Sequence, residues 1–175
     1  MGTAFQVDIA IRPEQEVDRD QIHDLTKRAF APMAFAAGDE QDLINALRDA
    51  DALTISLVAV QDGEVVGHIA FSPANSADGE PGWFALGPVS VAPEVQGLGI
   101  GRLLIEAGLQ RLIAIDAAGC ILTGNPAYYR RFGFVVRVDL APPGEPSEYY
   151  MVRSLGDLTP SQVVSFHPLF HAAGT

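Results

Sequence analysis

The chain has 175 residues, 48% of them hydrophobic, which is enough for a core and predicts a single domain over residues 1–175. Eleven basic and 22 acidic residues give a formal net charge of −11, which argues against a nucleic-acid partner. No run of 18 apolar residues occurs and residues 1–12 do not resemble a signal peptide, so we expect no membrane partner. The single cysteine, Cys120, cannot form an internal disulfide, which favours the cytoplasm.

The first half of the chain predicts two helices followed by an antiparallel meander. Residues 5–11 alternate apolar and polar, as in a half-buried strand, and Arg12-Pro13 is expected to end it. An Asp-Gly turn between two apolar runs indicates a hairpin. The predicted elements are helices from Asp18 or Asp20 to residue 30 and at 39–48, with a loop at 31–38 between them, strands at 53–60, 65–72 and 83–91, and a loop at 73–82.

A glycine-rich turn then joins the strand at 83–91 to a helix predicted over residues 100–116. Gly97, Gly99 and Gly101 leave the backbone bare where the helix begins. The first N–H groups of a helix lack internal partners and its dipole is positive there, so such an end binds anions, usually phosphate. Arg102 adds a formal charge. A tight turn without a ligand is the simpler alternative, and neither the P-loop nor the dinucleotide-binding pattern is matched.

The remaining segments predict one parallel crossover and two closing strands. Gly119 ends the helix, and a short strand at 120–123 is expected parallel to the strand at 83–91. Cys120 is predicted to be a small buried side chain. A short helix at 127–132 precedes strands at 134–140 and 148–155, with residues 158–170 last. The sequence therefore predicts an α/β protein with a mixed sheet.

Two motifs resemble the signatures of the GNAT family of N-acetyltransferases. Gln96-x-x-Gly99-x-Gly101 resembles the first, and residues 125–134, Asn-Pro-Ala-Tyr-Tyr-Arg-Arg-Phe-Gly-Phe, resemble the second. The likeness extends over residues 9–170, and segments 67–73, 86–88 and 126–129 resemble the bacterial YhbS-like subgroup. The resemblance implies about seven mostly antiparallel strands, with flanking helices and a parallel, splayed pair formed by the fourth and fifth strands.

The resemblance also implies acetyl-CoA as the acyl donor. Its pyrophosphate would lie on the backbone N–H groups of the glycine turn, and its pantetheine arm would pair with the splayed fourth strand, where Gly87-Pro88 marks an edge or a bulge. Asn125 matches a position that touches the CoA arm, although capping the short helix is an equal alternative. The predicted cofactor-binding residues are Val89, Ser90, Val91, Gln96, Gly97, Leu98, Gly99, Ile100, Gly101, Arg102 and Asn125.

Tyr129 matches the tyrosine that often protonates the leaving thiolate in the family. A phenol with a pKa of about 10 is protonated at neutral pH, as an acid must be; a packing tyrosine is the alternative. Glu40, on the acceptor-side helix, and His68, on the third strand, are the candidates for a general base that binds the substrate. A chain of waters is an equal candidate, and a solvated carboxylate and a packed strand histidine are the structural alternatives. His167 and His171 have no third ligand beside them, so we expect no metal site.

Charge is unevenly distributed between the two halves of the chain. Residues 13–64 contain 12 acidic and 4 basic side chains, whereas residues 93–137 contain 3 and 5. The second segment suits a polyanion such as CoA. The acidic segment either favours a cationic acceptor or is a solvated surface.

We expect direct attack of a primary amine on acetyl-CoA, with an unidentified acceptor. The alternatives are a non-catalytic acyl-CoA-binding module, a transferase for a longer acyl-CoA and, third, dinucleotide binding. A homodimer involving residues 158–170 is also open.

Overall fold

A computed structural model describes residues 8–33, 36–156 and 162–172. Its strands are β1 Ala10–Pro13, β2 Ile55–Gln61, β3 Glu64–Pro73, β4 Asn75–Ser76, β5 Trp83–Val91, β6 Gly119–Thr123, β7 Val135–Val136, β8 Tyr150–Ser154 and β9 Val164–Ser165. Its helices are α1 Arg19–Phe30, α2 Glu40–Asp49, α3 Ile100–Ala114, α4 Pro126–Tyr129 and α5 Leu169–Ala172. Within these ranges, no helix is both long enough and apolar enough to cross a membrane.

Seven strands form one sheet in the order β1-β2-β3-β5-β6-β8-β7, and β4 pairs with β9 separately. Neighbouring strands run antiparallel except β5 and β6, which are parallel. Helix α3 makes the crossover between those two strands. The mixed sheet with one parallel pair and flanking helices confirms the predicted fold class.

Helix α3 lies close against the sheet because glycine occupies the contact position. Leu104 and Ile105 are fully buried in the main core cluster, together with Phe71 of β3. A Cβ atom built at Gly108 would overlap the Phe71 ring. Helices α1 and α2 meet in a separate cluster, where Ile22 and Ile44 pack on β2.

Several strands and loops begin or end at residues other than those predicted, because tertiary contacts set their ends. The predicted strand at 5–11 is found at Ala10–Pro13, and residues 5–7 lie outside the described part. Arg12-Pro13 therefore does not end this strand; Pro13 is tolerated because β1 is an edge strand, where a missing N–H costs little. The expected loop at 73–82 contains β4, which pairs with Val164–Ser165. Residues 34–35 of the loop at 31–38 and residues 157–161 are outside the description.

The predicted strand at 134–140 is reduced to the two residues of β7. Residues Val138–Leu140 form a 3₁₀ turn instead, and this turn buries Leu140 in a cluster with Trp83 and Tyr150. The strand-like alternation of apolar residues thus reflected burial in a turn. Similarly, residues Ser147–Tyr149 form a 3₁₀ turn before β8. The short helix at 127–132 is one α-helical turn followed by a 3₁₀ turn, and it ends at Gly133 as predicted.

We predict that Gly108→Ala destabilises the protein by about 1–2 kcal/mol. The added methyl group must displace Phe71, which costs about 1–3 kcal/mol, and the better helix propensity of alanine offsets about 1 kcal/mol at most. Urea unfolding measures the change. Gln110→Ala, at an exposed position of the same helix, is the control and should stay within about 0.5 kcal/mol of the parent. A more stable Gly108→Ala variant would contradict the close approach of Phe71.

Candidate active site

Two cavities meet on the surface of β5 beside Val89. The first, which we call the groove, has a volume of about 620 Å³. The second, which we call the cleft, has a volume of about 470 Å³. Both volumes fall in the range of small-molecule sites. Met33 and Val89 line both cavities, so the two adjoin each other.

This space exists because β5 and β6 separate. The two strands pair only where Trp83–Ala85 lies beside Gly119–Ile121. Beyond that point, β5 has a register shift against β3 at Gly87 and Pro88, whose peptide bond is cis. Leu122 and Thr123 of β6 pair with β8 alone. The carboxyl-terminal halves of the parallel strands therefore splay apart, as predicted.

The hydrogen-bond pattern of β5 shows which backbone groups face the gap. The Ala92 N–H donates to the Val66 carbonyl of β3 at 2.8 Å. Residues along an antiparallel strand alternate in the direction of their backbone groups, so Val89 and Val91 direct theirs away from β3. The Gln96 side chain confirms this for Val91, because its Nε2 donates to the Val91 carbonyl at 3.0 Å.

The glycine turn presents bare N–H groups to the groove. Gly97 and Gly99 have φ angles of +81° and +85°, the left-handed region that favours glycine. Among the described residues, we find no acceptor for any backbone N–H from 96 to 102. Donors of this kind at the start of a long helix form an anion site. The turn therefore offers the groove a site for phosphate.

Two arginines and a tyrosine border this turn. Arg102 is exposed and contacts Glu106 at 3.0 Å, while the Arg131 guanidinium lies 4.9 Å from the centre of the Tyr128 ring. The Tyr128 hydroxyl would lie 3.3 Å from a Cβ atom at Gly101. Tyr128 and Arg131 line the groove but were absent from the predicted site. The basic Arg-Arg pair following the tyrosines was the available signal.

Most of the residues predicted to hold the cofactor line the groove. They are Val89, Val91, Gln96, Gly97, Gly99, Ile100, Gly101 and Arg102. Leu98 points to solvent, with 61% exposure, and Ser90 is buried at 2%. Neither side chain lines a cavity. Asn125 lies in the cleft, and its Oδ1 accepts the Ala127 N–H at 3.0 Å, which caps α4.

Tyr129 lines the cleft from α4 and is held by its neighbours. Its ring makes edge contacts with Tyr128 and Phe134, with centroids 5.0 and 6.1 Å away. Burial raises the pKa of Tyr129 to about 12, so its hydroxyl carries its proton at neutral pH. A Cβ atom at Gly124 would lie 2.6 Å from Cε2 of this ring. Gly124 therefore fixes how far the ring can approach β6.

The two candidate bases fall in different places. Glu40 lines the cleft, but its two carboxylate oxygens accept the Ala37 and Gly38 N–H groups at 2.9 and 3.1 Å. His68 is fully buried and lines neither cavity. Its Nε2 lies 2.7 Å from the Ser56 hydroxyl, and burial lowers the pKa of His68 to about 3.

Sequence reasoning missed a second carboxylate in the cleft. Glu145 follows β7 in the loop at 141–146, and its side chain is 13% exposed. The Thr123 hydroxyl donates to one of its oxygens at 3.1 Å, and His171 Nε2 lies 3.5 Å from the other. No sequence motif marks this glutamate. Its position depends entirely on how the loop folds back over the end of β6.

One further residue behaves as the sequence indicated. Cys120 is fully buried, and burial raises the pKa of its thiol, so it is unsuited to act as a nucleophile. The His167 ring accepts the Leu169 N–H at 3.1 Å. Across the described residues, no three His, Cys, Asp or Glu side chains are grouped to hold a metal ion.

The model of the acetyltransferase (GNAT) family matches residues 19–134 of this chain. The uncharacterized N-acetyltransferase YhbS of Escherichia coli (strain K12) is 36% identical over 125 residues, covering 71% of this chain and 72% of the relative. The chain therefore belongs to the acetyltransferase (GNAT) family, as the two signatures predicted.

Two solved structures have the same fold and contain acetyl-CoA or CoA. A GNAT family acetyltransferase from Brucella melitensis, in complex with acetyl-CoA, is 42% identical with a TM-score of 0.83, covering 94% of this chain and 99% of that one. YhbS from Escherichia coli, in complex with CoA, is 30% identical with a TM-score of 0.85, covering 98% and 96%.

We predict that Gly124→Ala destabilises the protein by about 1–3 kcal/mol, because the methyl group would overlap the Tyr129 ring. The same substitution in a Tyr129→Ala background should cost less than about 0.5 kcal/mol, since the obstructing ring is absent. Urea unfolding of the four proteins gives this coupling directly. Equal costs in both backgrounds would show that Gly124 does not position Tyr129.

Proposed function

We propose that the protein transfers the acetyl group of acetyl-CoA to a primary amine by direct attack. The observation that carries this proposal is the meeting of groove and cleft at Val89. A donor in the groove and an acceptor in the cleft would bring their reacting atoms together there. Such positioning supplies a large part of the rate of a two-substrate reaction.

The groove suits acetyl-CoA in its charges and in its shape. The N–H groups of residues 96–102, for which the described residues provide no acceptor, and the flanking Arg102 and Arg131 would hold the pyrophosphate. The backbone groups of Val89 and the Val91 N–H face the gap and would pair with the amides of the pantetheine arm, whereas the Val91 carbonyl already accepts Gln96 Nε2. Both solved relatives hold this donor or its product, which supports the same assignment here.

The reaction would run through a tetrahedral intermediate. As the amine nitrogen forms its bond to the carbonyl carbon, negative charge builds on the thioester oxygen. The Val89 N–H, which faces the gap, is the preorganised donor for that oxyanion. Collapse then breaks the carbon–sulfur bond and gives the amide.

Tyr129 would protonate the departing sulfur. Its raised pKa of about 12 keeps the hydroxyl protonated. The same low-polarity surroundings also raise the proton affinity of a thiolate, which favours transfer of the proton to sulfur. The phenol would donate a hydrogen bond to the sulfur as charge develops and then supply its proton.

Acetyl-CoA at about 100 times its Kd should stabilise the protein by about 2.7 kcal/mol, because it binds the folded state alone. Thermal melting measures this shift. Gly101→Val should abolish it, since a Cβ at this position already lies 3.3 Å from the Tyr128 hydroxyl and the added methyl groups extend into the groove. Ala114→Val, at an exposed position of the same helix, should leave the shift intact. No shift in the parent protein would end the donor assignment.

Tyr129→Phe should lower kcat about 100-fold or more, the usual scale for loss of a general acid. Its acetyl-CoA melting shift should be unchanged, because the ring stays in place. Release of CoA in the presence of a range of amines gives the rate. Tyr149→Phe removes a hydroxyl from an exposed tyrosine that lines neither cavity, and it should behave as the parent. Normal turnover by Tyr129→Phe would remove this residue from the mechanism.

A further inference from the structure

The kinds of side chain that line the cleft indicate what class of molecule it would bind. Aromatic and aliphatic side chains from α1, α2 and the end of the chain make up much of its wall: Phe30, Leu43, Phe166 and Phe170. Two carboxylates, Glu40 and Glu145, also line it, and none of the described lining residues is Lys or Arg. The cavity thus combines apolar burial with negative charge.

We propose that the acceptor is a primary amine carried on an aromatic or bulky apolar group without a carboxylate, and that Glu145 binds its ammonium and removes its proton. This inference rests on the proposed acetyl transfer and names its substrate class. The apolar part would lie against the phenylalanines, where its burial is favourable. A carboxylate on the acceptor would face two negative charges, and the one basic side chain among the described lining residues, His171, already lies 3.5 Å from Glu145.

Glu145 is better placed for this task than Glu40. Glu40 uses both oxygens to accept the backbone N–H groups of Ala37 and Gly38. Its carboxylate therefore stabilises the loop before α2. Among the described residues, one Glu145 oxygen accepts the Thr123 hydroxyl alone, and the other has His171 at 3.5 Å. Thr123 is the last residue of β6, directly before Gly124, on which the Tyr129 ring packs. Glu145 therefore lies at the same end of β6 as the proposed acid.

The protons balance across the reaction. An alkylamine has a pKa near that of lysine, about 10.4, so it arrives as an ammonium ion and cannot attack. Glu145 takes one proton, and the neutral nitrogen forms its bond to the carbonyl carbon. Tyr129 gives a proton to the sulfur as the carbon–sulfur bond breaks, and the second proton lost from nitrogen restores the phenol. Glu145 then passes its proton to solvent, which leaves amide, CoA thiol and one released proton.

Matched amines test the substrate class. Phenethylamine and tryptamine differ from phenylalanine and tryptophan only by a carboxylate, and phenylalaninamide replaces that carboxylate with a neutral amide. With acetyl-CoA saturating, we expect kcat/KM for each amine to exceed that of its amino acid at least about 30-fold, since like charge in an apolar site costs several kcal/mol. Phenylalaninamide should fall between the two.

Glu145→Gln tests the role of the carboxylate, because it keeps the shape and removes the charge. We expect kcat for phenethylamine to fall about 100-fold, with the acetyl-CoA melting shift unchanged. Phenethylhydrazine is a much weaker base and is largely uncharged, so its acetylation should fall far less than that of phenethylamine. A merely structural defect would slow both acceptors equally. Glu148→Gln, at an exposed position three residues away, is the matched control and should resemble the parent.

The outcomes separate this inference from the proposed function. Acetylation of amino acids in preference to their decarboxylated partners, or of no tested amine despite an acetyl-CoA melting shift, would overturn the substrate class and leave the donor site standing. A Glu145→Gln variant that matches Glu148→Gln would overturn the role of Glu145. Absence of both the melting shift and CoA release would overturn the transferase itself.

Discussion

The incomplete pairing of β5 and β6 is the constraint on which the rest of the structure depends. Backbone N–H and C=O groups must find partners or solvent, and a closed ladder would have used all of those on β5. Pro88 cannot donate to a ladder, and the register shift around it directs the strand away from β6 beyond Ala85. The backbone groups of Val89 and the Val91 N–H thereby face the gap, and the Val91 carbonyl accepts Gln96 Nε2. The site is a gap in the sheet, with the sheet itself as its rigid frame.

The two cavities on either side of this gap are lined by different parts of the chain and therefore differ in charge. The groove is built from the start of α3 and from α4, where glycines and arginines suit phosphate. The cleft receives side chains from α1, α2 and the chain end, which supply phenylalanines and a carboxylate. A polyanionic donor and a cationic acceptor would therefore approach Val89 from surfaces of complementary charge.

Close packing at two glycines holds the elements that define these cavities. Gly108 lets α3 approach Phe71, which positions the helix whose first turn lines the groove. Gly124 lets the Tyr129 ring lie against the end of β6. Protein interiors are packed densely enough that one added methyl group is felt. The geometry of the site thus depends on these two glycines, which have no side chain, as well as on the side chains that line the cavities.

Local patterns in the sequence determined a large part of this protein. The glycine turn, the Asp-Gly hairpin and the apolar periodicity of α3 each have a cause within a few residues, and they predicted the elements, the parallel pair and most of the groove.

Local patterns failed where contacts between residues distant in sequence determine the structure. Leu140 is buried by a turn, although its spacing suggested a strand, and β4 forms only because Val164–Ser165 pairs with it. His68 has the chemistry of a base, yet its strand register places it in the core. Glu145 lies in a loop without any motif, and only the folding of that loop over Thr123 brings its carboxylate into the cleft. The sequence by itself determines which local elements neighbouring residues can form. The lining of the cleft depends instead on side chains that are distant in sequence and meet only in the folded chain.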